Sequence, residues 1–157
     1  MRIGLISDTH GQLRPEVLER LAGVDLILHA GDIGTEDIVT ELEVLAPVTA
    51  VHGNTDGLAI RARYPEVQQL EKVGRRIVVT HGHVYGSPTP AALRSAFPAA
   101  DVIVFGHTHR PEIDRADGRL VINPGAAGPA RFRLSPSVAV LRLEASIAEV
   151  MEIPLTH

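Results

Sequence analysis

Four short polar clusters stand behind runs of apolar residues in this chain: SDTH at Ser7 to His10, HAGD at His29 to Asp32, GNTD at Gly53 to Asp56 and GHTH at Gly106 to His109. The runs ahead of them, Ile3 to Ile6, Leu26 to Leu28, Val48 to Val51 and Val102 to Phe105, read as short buried strands, as does Ile77 to Val79 ahead of His81. In an open α/β sheet ligands bind beyond the carboxyl ends of the strands. The pattern therefore demands a fold in which separated segments end at one pocket. With His81, the clusters offer metal ligands for two ions.

The segments between the clusters fit that demand. Arg2 to Ser7 is followed by a helical stretch from Pro15 to Ala22, with Pro at its start and Gly23 beyond its end. Leu26 to Ala30 leads to a second helix from Glu36 to Leu45, with Thr35 as N-cap and Glu36 and Asp37 complementing the helix dipole. Val48 to Val51 follows, so the first half predicts parallel strands joined by crossovers. The second half is richer in strands. Val67 to Lys72 and Arg75 to Thr80 flank Gly74 as a hairpin, and a helix is expected from Pro90 to Ala96. Glu112 to Asp114 and Arg119 to Ile122 flank an Asp117-Gly118 turn, and Val138 to Leu143 with Ile147 to Ile153 form a last hairpin. Two mixed sheets packed face to face, with helices outside, accommodate this order.

At 157 residues the chain is expected to form a single domain over 1–157 with one core of ordinary size. No apolar run approaches the roughly 20 residues that cross a bilayer. Met1-Arg2 leads directly into a strand rather than a signal peptide, so a cytoplasmic location without membrane attachment is expected. The absence of cysteine removes thiolate sites and leaves His, Asp and Asn as ligands. A net charge of −4 argues against a surface built to grip long nucleic acid, although a short nucleotide remains compatible.

Each cluster has an ordinary reading when taken alone. Asp8 and His10 could form an Asx turn with a surface histidine, Asp32 could open a turn, Asn54 could be a left-handed turn residue, and His107 and His109 could be solvent-facing. Their joint occurrence favours metal binding, because seven of the eight histidines lie in or beside these clusters, with only His157 elsewhere. Asp56 is open between orienting a histidine and stabilising its own turn, and His83 between contacting phosphate, donating a proton and supporting His81. His29 and His52 are weaker candidates that satisfy buried backbone groups. Asn123 and Gly125 are expected to shape a turn beside the site.

SDTHG, HAGD, GNTD, THGH and GHTHRP, in this order and spacing, resemble the calcineurin-like metallophosphoesterases. The short length and the INPGAAG segment are similar to the small bacterial YfcE-like phosphodiesterases. The resemblance covers nearly the whole chain. It implies an α/β fold of the metallo-dependent phosphatase type, a four-layer α/β/β/α sandwich of two mixed β-sheets flanked by helices. It also implies two divalent metal ions per chain, with Asp8, His10, Asp32 and His109 on the first and Asp32, Asn54, His81 and His107 on the second. Manganese is expected ahead of iron, zinc, cobalt or nickel, all of which suit mixed oxygen and nitrogen donors. Paired catalytic ions of this kind sit about 3.5–4 Å apart.

The implied reaction is hydrolysis of a small phosphodiester by in-line attack of a hydroxide bridging the ions, with Asp32, Asn54 and His83 as candidate catalytic residues. Two divalent ions less two carboxylates and one hydroxide leave roughly one positive charge to attract the phosphoryl group. Phosphomonoester hydrolysis is an alternative, and so is a non-catalytic protein-binding scaffold like the related retromer subunit. The complete set of competent side chains favours hydrolysis over the scaffold. A nuclease for long DNA would need a basic tract, which is absent. A homodimer or higher homo-oligomer is compatible with a domain of this size.

Many larger relatives place His after the ligand Asn as a proton donor to the leaving oxygen, whereas this chain has Thr55. A threonine hydroxyl is far too weak an acid for that task. Turnover is therefore expected to depend steeply on leaving-group acidity, with aryl esters outrunning simple alkyl esters. Equal rates for aryl and alkyl phosphodiesters would refute this.

Overall fold

The computed structural model of the protein describes residues 1–131 and 133–156; His157 lies outside the described residues. The first sheet has the order β10-β9-β1-β2-β3, built from β1 (Arg2–Ile6), β2 (Leu26–His29), β3 (Val48–Ala50), β9 (Ser137–Leu143) and β10 (Ala148–Pro154). The second has the order β4-β5-β6-β8-β7, from β4 (Val67–Lys72), β5 (Arg75–Thr80), β6 (Val102–Val104), β7 (Glu112–Ala116) and β8 (Arg119–Asn123). Strands β1, β2 and β3 run parallel, as do β5, β6 and β8, while β9 pairs antiparallel with β1, and β4 and β7 pair antiparallel with β5 and β8. Both sheets are thus mixed, as expected.

Period-two alternation explains the layering. Ile3 and Leu5 of β1, Ile77 and Val79 of β5, and Val102 and Val104 of β6 pack together between the sheets. The intervening residues face outward: Ile6 packs against α1 (Pro15–Arg20), α2 (Glu36–Glu43) and α3 (Leu58–Arg63), through Val17, Leu42 and Ile60 among others. On the opposite side Val78, Ile103 and Phe105 pack against Leu93 of α4 (Pro90–Ala96). Helix, sheet, sheet and helix are the four layers. Strands covered on both faces must be apolar at every position, which is why these runs are continuous rather than alternating.

The hairpins turn where expected. Val73 and Gly74 have φ of 52° and 69°, and Asp117 and Gly118 have φ of 54° and 69°; paired left-handed residues match the twist of two-residue hairpins. Three local expectations are corrected. Thr35 occupies the N-cap of α2 without a side-chain hydrogen bond to it. Helices α1 and α2 end at Arg20 and Glu43, short of Ala22 and Leu45. The six-residue α3 was not expected: it follows Gly57 with no capping side chain and buries only Ile60, so neither a cap nor an apolar face announces it. Among the described residues no helix is long and apolar enough to cross a membrane.

Leu28 is fully buried between the sheets, so Leu28→Ala is expected to cost about 2–5 kcal/mol. The exposed Val44→Ala should stay within about 0.5 kcal/mol of wild type. Urea unfolding of both variants checks the contrast.

Candidate metal centre

Strand register delivers the clusters to one rim. Ile6 of β1 pairs with His29 of β2, which pairs with Ala50 of β3, so the segments carrying Asp8, Asp32 and Asn54 leave the first sheet at one level. In the second sheet Val79, Val104 and Ile122 share a level, which places His81, the GHTH loop and Asn123 at the ends of β5, β6 and β8. The emerging loops are laced together by backbone bonds: Asp8 N–H to Gly31 O at 3.0 Å, His10 N–H to Asp32 O at 2.9 Å and Gly106 N–H to His81 O at 3.3 Å.

All seven predicted ligands come together. Asp8 Oδ1 lies 3.3 Å from His109 Nε2 and 3.9 Å from the Nε2 atoms of both His10 and His81. Asp32 Oδ2 lies 3.3 Å from His81 Nε2 and 3.9 Å from His10 Nε2. Asn54 Oδ1 is 3.1 Å from both His81 Nε2 and His107 Nδ1. Two trios have donor atoms close enough to share one cation: Asp8, His10 and His109, and Asp8, Asp32 and His81.

Backbone conformation aims these side chains. Asp8, His10, Asp32, His107 and His109 are five of the eight described non-glycine residues with positive φ, at 48° to 71°. This region is uncommon for side-chain-bearing residues and concentrates at functional sites. Two motif glycines make room for the carboxylates. A Cβ on Gly53 would collide with Asp32 Oδ1, and one on Gly106 with Ser7 Oγ and, at 2.8 Å, with Asp8 Oδ2.

The hydrogen bonds leave donor atoms facing inward. Asp8 Oδ2 accepts from Ser7 Oγ at 2.7 Å and from His107 N–H at 3.2 Å, while buried Oδ1 accepts no hydrogen bond among the described residues. Asp32 Oδ1 accepts from Thr55 N–H at 2.9 Å. His81 Nδ1 donates to Ala30 O at 2.8 Å, which fixes the ring with Nε2 facing the carboxylates. Burial opposes charge on His81, but Asp32 and Asp8 outweigh it and raise its pKa. Desolvation likewise opposes charge on Asp32, yet the hydrogen bond and charge of His81, with Thr55, hold its carboxyl well below the usual range. For His10 and His107 desolvation prevails and favours the neutral ring, the form that binds metal.

The remaining candidates separate. His83 lies in a 3₁₀ turn (His83–Tyr85), its ring 5.5 Å from that of His81 and 6.3 Å from that of His52, and its Nε2 3.7 Å from Glu66 Oε1. Asp56 contacts no histidine among its hydrogen bonds: it accepts from the N–H groups of Ile33, Gly34 and Gly53 at 2.8–3.2 Å, tying the HAGD loop to GNTD. His52 bonds Tyr64 O at 2.8 Å. Asn123 accepts from Gly125 N–H, shaping the expected turn, and its Nδ2 also donates to Gly106 O and Thr108 Oγ1, clamping the GHTH loop. Sequence reasoning missed Ser7, whose hydroxyl fixes Asp8. Only its place beside Asp8 could have signalled it, since composition does not reveal which way a serine points.

Comparison with known proteins adds an independent line. The model of the calcineurin-like phosphoesterase superfamily domain matches residues 1–146. A probable metallophosphoesterase of Methanothermobacter thermautotrophicus is 39% identical over 155 residues, covering 92% of this chain and 87% of that protein. The phosphodiesterase YfcE of Escherichia coli is 32% identical over 152 residues, covering 80% and 79%. Among solved structures, wild-type Vps29 of Entamoeba histolytica in complex with zinc superposes with a TM-score of 0.81 at 21% identity, covering 98% of this chain and 99% of that one, a likeness of fold alone.

His29, under the centre, offers a test by pH. Its Nδ1 accepts from Gly31 N–H and its Nε2 lies 3.0 Å from Thr9 Oγ1, which donates to Ile33 O. Complete burial pushes its pKa down to about 4 from 6.5, so the unfolded chain binds the proton first as pH falls. The stability held above the unfolded pKa is therefore lost toward the folded one. Between pH 7 and pH 5 metal-free wild type should lose about 2 kcal/mol more than His29→Gln. Urea titrations at the two pH values measure the difference.

Proposed function

The chain belongs to the calcineurin-like phosphoesterase superfamily and is a metal-dependent phosphoesterase, and from that premise we propose that it hydrolyses small phosphodiesters with two divalent cations held by its seven clustered ligands. Asp8, His10, Asp32 and His109 hold one cation; Asp32, Asn54, His81 and His107 hold the other. The observation that supports this reading is that two carboxylate oxygens, Asp8 Oδ1 and Asp32 Oδ2, each face both His10 and His81 across one cluster. The donor set fits: the inward Asp8 oxygen lacks a hydrogen bond, the bond at Nδ1 of His81 turns Nε2 toward the carboxylates, and Asn54 adds a neutral oxygen where carboxylates already supply negative charge. Hard oxygens with imidazoles suit manganese first, with iron, zinc, cobalt or nickel competent.

When bound, such a pair of ions supplies a hydroxide nucleophile at neutral pH and positive charge at the phosphoryl oxygens. The protein's own part is to fix the ligands. Ser7 and the His107 N–H restrain one oxygen of Asp8, Thr55 N–H restrains one oxygen of Asp32, and Ala30 O sets the tautomer of His81. His83 packs on His81 and supports its ring. Thr55 contributes its backbone, so protonation of the leaving oxygen falls to water or is avoided by an acidic leaving group.

Asp32→Ala should abolish manganese-dependent hydrolysis of bis(p-nitrophenyl) phosphate, a loss of at least about 10³-fold, because it removes a ligand common to both cations. Calorimetric titration should give two manganese ions per wild-type chain and fewer in the variant, with unchanged circular dichroism. An inactive but well-folded wild type that binds another protein would instead support the scaffold reading.

A further inference from the structure

Beside the centre lies a groove of about 490 Å³ lined by Ser87, Pro88, His107, Thr108, Arg110 and Glu112. His107 is the wall it shares with the seven-ligand cluster. That volume lies within the roughly 300–1,000 Å³ of small-molecule sites. The cleft on the other flank, along His109 and Arg131, leaves no comparable room. Arg110 and Glu112 form no ion pair among the described residues. Thr108 Oγ1 already accepts from Asn123 Nδ2 and Arg110 N–H, so its own proton remains to be donated.

The lining selects the occupant. An anionic group would meet Glu112 and a cationic one Arg110, and an aryl group would cover both without offering either a hydrogen bond. A neutral polyol satisfies both, because each hydroxyl can donate to the carboxylate and accept from the guanidinium. Resting on the phosphodiesterase reading above, we propose that this groove holds a sugar-type ester substituent of the substrate. Glu112 accepts its hydroxyls, Arg110 donates to its oxygens, and the phosphate lies at the centre beyond His107.

Two esters with the same leaving group test this: uridine 5′-(p-nitrophenyl phosphate) and bis(p-nitrophenyl) phosphate. With the manganese-loaded protein, Arg110→Ala and Glu112→Ala should each lower the preference for the uridine ester, as a ratio of kcat/KM values, at least ten-fold and mainly through KM. Arg110→Lys should restore part of it. Uridine alone, added to metal-free protein, should shift the backbone amide resonances of Arg110 and Glu112. An unchanged ratio in both alanine variants of an active protein overturns the groove assignment. Failure of wild type to hydrolyse either ester overturns the phosphodiesterase reading and the assignment together.

Discussion

Two carboxylates buried among imidazoles set the terms for the whole rim. Asp8 and Asp32 are almost wholly withdrawn from solvent, and a buried charge costs several kcal/mol unless opposite charge and hydrogen bonds compensate it. The fold provides part of that compensation from the backbone, through the N–H groups of His107 and Thr55, and part from His81. The inner Asp8 oxygen is left to something else. A cation is the natural complement, and the left-handed backbone at five of the seven clustered residues is the local cost of bringing their side chains to one place.

That strain is tolerable because the surroundings over-determine it. Asp56 holds three backbone N–H groups from two loops, and Asn123 holds two oxygens of the GHTH loop while accepting from Gly125. Neither touches the ligand atoms. Their effect is to make the loops behave as extensions of rigid strands, the condition under which ligand positions are held to fractions of an ångström.

Much of this was legible in the residues. Continuous apolar runs give the buried strands, and polar clusters just behind them fall at carboxyl ends, so the convergence of Asp8, Asp32 and Asn54 follows from parallel register, whereas His81 joins them from the second sheet packed against the first. What escaped is what depends on orientation or on weak local signals. Asp56 was open between histidine support and turn stabilisation, and only the direction of its carboxylate decides for the turn. Helix α3 is made of good helix formers but has no cap and one buried residue, and six residues are too few to hold a helix without the packing of Ile60. Thr35 has the residue type of a cap without the bond, which shows that a cap motif specifies position better than contact.

The Vps29 likeness sharpens what the fold can and cannot say. A shared sandwich fixes where loops emerge, whereas chemistry depends on which side chains those loops carry. Here Thr55 illustrates the separation at a single residue. Its backbone N–H steadies Asp32, a service any residue other than proline could perform, and its hydroxyl adds to the hold on the same carboxylate, so the side chain steadies the cluster without being an acid fit to protonate a leaving oxygen. One loop away, Thr108 and Arg110 flank His109 without joining the seven clustered residues, which leaves them available for the ester substituent proposed above.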